Sequence, residues 1–151
     1  MDTIAKVDVT TRATDGGWQL PEFWTVAAEI SPDYDTRPTD FDCYTPAQVA
    51  AWERDEWQFV VVSVFVEDAD GREWGRDVLG GVEYGSFVLT DEQDNVTGAD
   101  DVDPLADKPG EYSVIREHDM IGEALRDAVR QLESFGTPVL REPDGSKVTG
   151  L

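Results

Sequence analysis

The chain has one cysteine, Cys43, one histidine, His118, and only three lysines in 151 residues. A single cysteine excludes an internal disulfide and points to a reduced, intracellular setting. With one histidine, a nucleophilic triad must use His118, and no Gly-x-Ser-x-Gly elbow accompanies it. His118 is therefore read as a surface or capping residue. Cys43, with no activating base near it in sequence, is read as a half-buried small residue. The scarcity of bases leaves nothing to hold a phosphate, and Gly75, Gly80, Gly81 and Gly85 follow neither a phosphate-loop nor a dinucleotide spacing. The longest apolar run, Phe59 to Val62 and on through Val64 to Val66, is too short to cross a bilayer. Residues Met1 to Lys6 lack the basic and apolar regions of a signal peptide. The expectation is a soluble, cytoplasmic protein that is not an enzyme and needs no cofactor or metal.

What the chain does have is negative charge. Asp and Glu number 33 against 12 Lys and Arg, a net charge of −21. The composition is nevertheless 40% hydrophobic with five tryptophans, so the low hydrophobicity that accompanies charge-driven disorder is missing. A length of 151 residues suits one domain, 1–151, with its own core. Nucleic acid and anionic lipid are both repelled by such a surface, which excludes direct binding to either. Two segments carry oxygens at cation-binding density, Asp68 to Glu73 and the group Asp100, Asp101, Asp103 and Asp107. Neither holds a full calcium-loop ligand set, and a hairpin turn at Asp70-Gly71 accounts for the first.

Hydrophobic patterning predicts the elements. Ile4 to Thr10 alternates as an edge strand, a turn follows at Asp15-Gly16-Gly17, and Phe23 to Ile30 places Trp24, Val26, Ala28 and Ile30 on one face. Ser31 to Tyr44 reads as a polar loop. Thr45-Pro46-Ala47-Gln48 is a capping box with proline at the first helical position, opening a short helix to about Asp55 with Val49 and Trp52 inward. Trp57 to Glu67 is apolar on both faces, as a covered central strand is. Arg72 to Leu79 and Val82 to Leu89 read as two further strands separated by a bulge or turn at Gly80-Gly81. Residues 90–110 read as a mobile acidic loop. Glu117 to Ser134 reads as a long helix with Ile121, Leu125, Ala128, Val129 and Leu132 on its apolar stripe and Gly136 as C-cap. A terminal hairpin is expected around Pro143-Asp144-Gly145. The fold class is α+β: an antiparallel sheet of three to five strands, a short helix, and one long C-terminal helix packed on the sheet. The α–β–β–β–α order resembles a double-stranded-RNA-binding domain in topology alone. The basic helix termini that such domains need are acidic here, which excludes RNA binding.

Trp52 and Trp57 bracket Glu53-Arg54-Asp55-Glu56. One reading packs both at the helix-to-strand corner, and the other makes them an aromatic anchor ringed by acids, the composition of an interface hot spot. The segment from Thr45 through Trp57 and Phe59–Val62, the run Gly80-Gly81-Val82-Glu83-Tyr84-Gly85, and the C-terminal amphipathic helix are similar to a set of small uncharacterised acidic proteins from bacteriophages of high-GC hosts. That resemblance covers about half the chain and implies a viral origin and an anti-defence role.

A compact domain of this length is about 38 Å across, a span over which B-DNA carries about 22 charges, comparable to the net charge here. The sharper functional expectation is therefore a DNA-mimic inhibitor that occupies the basic channel of a host DNA-binding or defence protein, such as a restriction or CRISPR nuclease. Its partner-binding residues would be Asp91, Glu92, Asp94, Asp100, Asp101, Asp103 and Asp107, the helix acids Glu117, Asp119, Glu123 and Asp127, and Trp52 and Trp57. The alternative is a non-catalytic binding module whose acidity reflects a high-salt or high-GC proteome.

Overall fold

The computed structural model describes residues 2–133. Among these, strands β1 (Ala5–Asp8), β2 (Thr25–Pro32), β3 (Trp57–Glu67), β4 (Glu73–Thr90) and β5 (Val96–Val102) form one antiparallel sheet in the order β1-β2-β3-β4-β5. Helices α1 (Thr10–Asp15), α2 (Pro46–Glu53), α3 (Val114–Glu117) and α4 (Met120–Glu133) complete the α+β architecture. The expected Gly136 cap and the terminal hairpin lie outside the described residues.

β3 explains the layout. Val60, Val62, Val64 and Val66 point into the main core with Val26, Ala28 and Ile30 of β2 and the apolar stripe of α4. Trp57 and Phe59 point the other way, into a second cluster with Ala51 of α2 and Val88 of β4, flanked by Tyr44, Trp52 and Phe87. Each fully buried valine or phenylalanine contributes about 2 kcal/mol, so neither face of β3 tolerates water: α4 covers the valine face, α2 covers the Trp57–Phe59 end of the other, and the Lys6 and Arg76 side chains lie over Phe65.

The main cover, α4, lies directly on β4. A Cβ built on Gly75 would fall 2.3 Å from both the Ala124 carbonyl oxygen and the Ala128 amide nitrogen. Three small residues thus let helix and strand backbones meet. The single long helix read from the sequence divides into α3 and α4, because Asp119, with φ +47°, breaks the helical path between them. The buried stripe gains Met120 and Ala124, while Ile121 stays half-buried at its margin.

α2 begins at its capping box, where the Thr45 side chain accepts from the Gln48 amide and the Gln48 side chain from the Thr45 amide. It ends two residues earlier than expected. The Glu56 amide returns to the Ala51 carbonyl and the Asp55 amide to the Trp52 carbonyl, both at 3.0 Å, with Asp55 at φ +61° in the place glycine usually takes. The inward residues are Gln48 and Ala51 rather than Val49 and Trp52, which are half-buried.

Three further expectations change. The two strands read on either side of Gly80-Gly81 are one 18-residue strand, and the glycines form a bulge opposite Val61. Residues 96–102 of the segment read as a mobile loop form β5, paired with β4 from Gly85↔Val102 to Thr90↔Val96. Cys43 is exposed, not half-buried. His118 is exposed at the end of α3, as expected, and Asp68 closes the β3–β4 turn by accepting from the Asp70 and Arg72 amides.

A β-turn over 21–24, closed by the Trp24 amide on the Pro21 carbonyl at 3.2 Å, holds Phe23 at φ +68°, and the residue is 75% exposed. Two substitutions test this packing and strain by urea unfolding. Gly75→Ala is expected to cost about 3 kcal/mol as α4 is pushed off β4, whereas Gly98→Ala, with open space around its Cβ, changes stability by less than about 0.5 kcal/mol. Phe23→Gly is expected to raise stability by about 1 kcal/mol, the cost of a left-handed non-glycine residue.

Candidate functional site

The candidate surface is built on the second core. β3 pairs with β4 only as far as Trp57↔Gly85, and beyond that point β4 continues with β5 as a two-stranded ribbon. α2 takes β3's place along the inner edge of the ribbon. The Gln48 side-chain amide donates to the Val88 carbonyl at 2.9 Å, and the Ser86 amide donates to the Glu56 carbonyl at 2.9 Å. Trp57 is locked beneath, its indole N–H donating to the Gln48 carbonyl at 2.9 Å and its ring edge-on to Phe59 and Phe87. The Tyr44 hydroxyl donates to Glu83 at 2.6 Å. Burial first, then the Glu83 hydrogen bond and charge, push that phenol well above its ordinary range.

Charge is concentrated on this half. Residues 33–56 carry seven acids and two arginines, Arg37 and Arg54, and residues 83–103 carry seven acids and no base. Arg54 is itself ion-paired with Glu56 at 2.5 Å. Nearly all the other ion pairs among the described residues lie elsewhere: Lys6–Glu67, Arg76 with Glu29 and Glu73, Arg12 and Arg116 with Asp107, Arg126 with Asp119 and Glu123, and Arg130–Asp127. Arg12, Arg116 and Arg126 also line a cleft of about 460 Å³ with Trp18 and Ile115, so the basic residues gather around α1 and α4.

The residues singled out in the sequence separate accordingly. Asp91, Glu92, Asp94, Asp100, Asp101 and Asp103 lie together on the β4–β5 hairpin and its exit. Three of these also shape the backbone. The Asp91 carboxylate accepts from the Asn95 and Gln93 amides, which hold it below the usual carboxylate range. Asp94 accepts from the Ala47 amide at 3.2 Å, tying the turn to the start of α2. Asp103 accepts from the Leu105 amide at 3.0 Å. Glu92, Asp100 and Asp101 stand exposed.

Asp107 does not join them, since it lies between Arg12 and Arg116, 3.3 Å from each. Nor do the helix acids. Asp119 and Glu123 share Arg126, and Asp127 accepts from the Arg76 amide at 2.9 Å beside Arg130; Glu117 is exposed on α3. Trp57, 1% exposed, cannot touch a partner, and Trp52 is half-buried against the same cluster. Both tryptophans thus pack the corner.

Sequence reasoning missed the acids on the α2 side of this surface, chiefly Asp35, Asp40, Asp42, Glu53 and Asp55, all exposed. The signal was local charge density, with seven acids in the 24 residues 33–56. Asp33 in that stretch has a structural task. Its carboxylate accepts from the Gly81 amide at 2.8 Å, the Thr36 hydroxyl at 2.7 Å and the Asp35 amide at 3.1 Å, pinning the glycine bulge of β4. Burial pushes the group up, but these hydrogen bonds outweigh it and keep it below the ordinary carboxylate range.

Comparison with known proteins finds no match: no family model, curated protein or solved structure resembles the chain significantly. Among the described residues no helix is long and apolar enough to cross a membrane.

Asp33→Asn places an amide N–H₂ against donors and is expected to cost about 2 kcal/mol at pH 7, the loss for a hydrogen-bonded charged acceptor. Because the folded-state carboxyl titrates below its unfolded value, that stability is complete above about pH 4 and fades as pH falls through the folded value. Unfolding curves of the two proteins at pH 7 and in acid check both the size and the direction.

Proposed function

We propose that the chain is a small, non-catalytic acidic protein of bacteriophage type that acts as a DNA mimic. In this reading it occupies the basic nucleic-acid channel of a host DNA-binding or defence protein, such as a restriction or CRISPR nuclease, in the cytoplasm of the host cell. The supporting observation is the segregation of charge. The α2 side and the β4–β5 hairpin together carry acids with almost no compensating base, while the ion pairs gather around α1 and α4. An uncompensated face offers a basic channel what a phosphate backbone offers it: dense negative charge on a rigid support, without the flexibility of an acidic tail. The contact residues in this reading are Asp91, Glu92, Asp94, Asp100, Asp101 and Asp103, joined by the exposed acids around α2. No membrane, direct nucleic-acid contact or cofactor enters it.

A second reading, a binding module whose acidity is a proteome-wide adaptation, draws on the exposed aromatics Phe23, Tyr34 and Tyr112. These lie outside the acid-rich hairpin and would give contacts that salt does not weaken.

Capture of host proteins on the immobilised chain at low salt, followed by a salt gradient, separates the two. Mimicry predicts recovery of a DNA-handling protein that elutes at moderate salt and is displaced by duplex DNA. Asp100→Lys combined with Asp101→Lys is expected to weaken that complex by about tenfold or more, while Asp119→Asn, already paired in the free protein, changes it little. A partner retained equally in high salt and indifferent to DNA would sink the mimic reading.

A further inference from the structure

The two long edges of the β4–β5 ribbon are treated differently by the fold. Beyond the end of β3, the inner edge of β4 is covered by α2 and the turn that follows it, with the Gln48 side chain and the Glu56 carbonyl bonding its backbone. Among the described residues the outer edge of β5 has no such cover. Val96 to Asp101 are all exposed, and no described residue pairs with that side of the strand. In an antiparallel ladder alternate residues turn both N–H and C=O away from the partner strand. Residues 98–102, in unbroken register with β4, therefore present a row of outward backbone groups about 17 Å long at the usual strand rise, and Thr97 is a bulge between them and Val96. The other edge strand of the sheet, β1, is only four residues long. Short length is one of the ways proteins blunt an edge, and a seven-residue edge lacks that protection.

The chemistry of β5 selects what can add to it. Asp100 and Asp101 are successive and so project to opposite faces of the ribbon, and Asp103 and Glu92 extend the charge beyond both ends of the strand. Residues 77–107 contain no Lys or Arg. A second copy of the chain pairing edge to edge would set these aspartates against one another, and like charges directly opposite are destabilising. A basic strand would meet acids on both faces, with Val96, Ala99 and Val102 supplying apolar contact between them.

We propose that the outer edge of β5 takes up an extended, lysine- or arginine-rich segment of a partner protein as a sixth antiparallel or parallel strand. The inference rests on the reading of this half as a surface for a basic protein and deepens it. Recognition would combine backbone hydrogen bonds, which a nucleic acid cannot offer, with the carboxylates on either face. The acids would then set which strand is accepted, and the open backbone would hold it.

The test uses two synthetic peptides of equal length and charge, one alternating Lys and Val, the other alternating Lys and Pro, which has half its N–H donors removed. Binding to the full chain is followed by fluorescence anisotropy, and amide hydrogen exchange is read residue by residue. The Lys–Val peptide is expected to bind about tenfold tighter than the Lys–Pro peptide, and to slow exchange at every second amide of 98–102, the stretch in unbroken register with β4. Equal binding of the two peptides, or exchange slowed without alternation, would overturn strand addition while leaving the anionic surface intact. No binding of either would overturn both.

Ala99→Pro and Asp100→Pro give an independent check, because one of these two N–H groups faces β4 and the other faces outward. The outward one is expected to leave the melting temperature unchanged and abolish preference for the Lys–Val peptide. Preference retained in that stable variant would overturn the proposal.

Discussion

A strand with apolar side chains on both faces cannot lie on the surface of a sheet, and β3 imposes that constraint on everything around it. Val60, Val62, Val64 and Val66 demand the cover that α4 provides, and Trp57 and Phe59 demand a second cover on the other face. The capping box of α2 and the left-handed Asp55 place that second helix where β3 begins. Because α2 is then in position to bond the inner edge of β4, that strand extends past the end of its first partner and supports β5. The acid-rich half of the molecule is thus a by-product of the second core, held first by packing and pinned locally by carboxylates such as Asp33 and Asp94.

The acids themselves serve two purposes. Asp33, Asp68, Asp91, Asp94 and Asp103 accept backbone amides at a bulge, two turns, a helix start and a strand exit. Such contacts fix local geometry and persist in salt better than exposed ion pairs do. Asp35, Asp42, Glu92, Asp100 and Asp101 are exposed and carry the uncompensated field. A large negative net charge stresses a compact state through self-repulsion, and employing many carboxylates as local acceptors offsets part of that stress.

Much of the core was legible because burial leaves periodicity behind it. The alternation of 23–30, the doubly apolar 57–67 and the stripe of α4 each specify their element and face without help from distant residues. The Thr45–Gln48 box announced α2 for the same reason, its partners being three residues apart. β5 was not legible: Val-Thr-Gly-Ala-Asp-Asp-Val has neither a clean alternation nor strong strand formers, and it is a strand because β4 offers a ladder to it. Gly80-Gly81 suits a bulge or a turn equally, and the Asp33 carboxylate that holds it as a bulge lies 48 positions from Gly81. For the candidate site, the hairpin acids could be read as a cluster from their density alone. The helix acids stand apart from that cluster: Arg126 follows Glu123 by three positions and Arg130 follows Asp127 by three, a spacing that pairs them on a helix. Trp57 shows the limit of composition: acids flank it in sequence, and pairing with Gly85 buries it.

In this sheet every strand pairs with its predecessor along the chain. The connections before β2 and β3 run to 16 and 24 residues, but β3, β4 and β5 are joined by five residues each, so these two hairpins lose little chain entropy before each contact is rewarded. During synthesis the sheet can grow one strand at a time as the chain leaves the ribosome, with no strand waiting for a distant partner. The exception is α4, which seals the main core and is made after all five strands. Until it arrives, the valine face of β3 is bare, and the interval between completing β5 and docking α4 is the period in which the nascent protein is most exposed to aggregation.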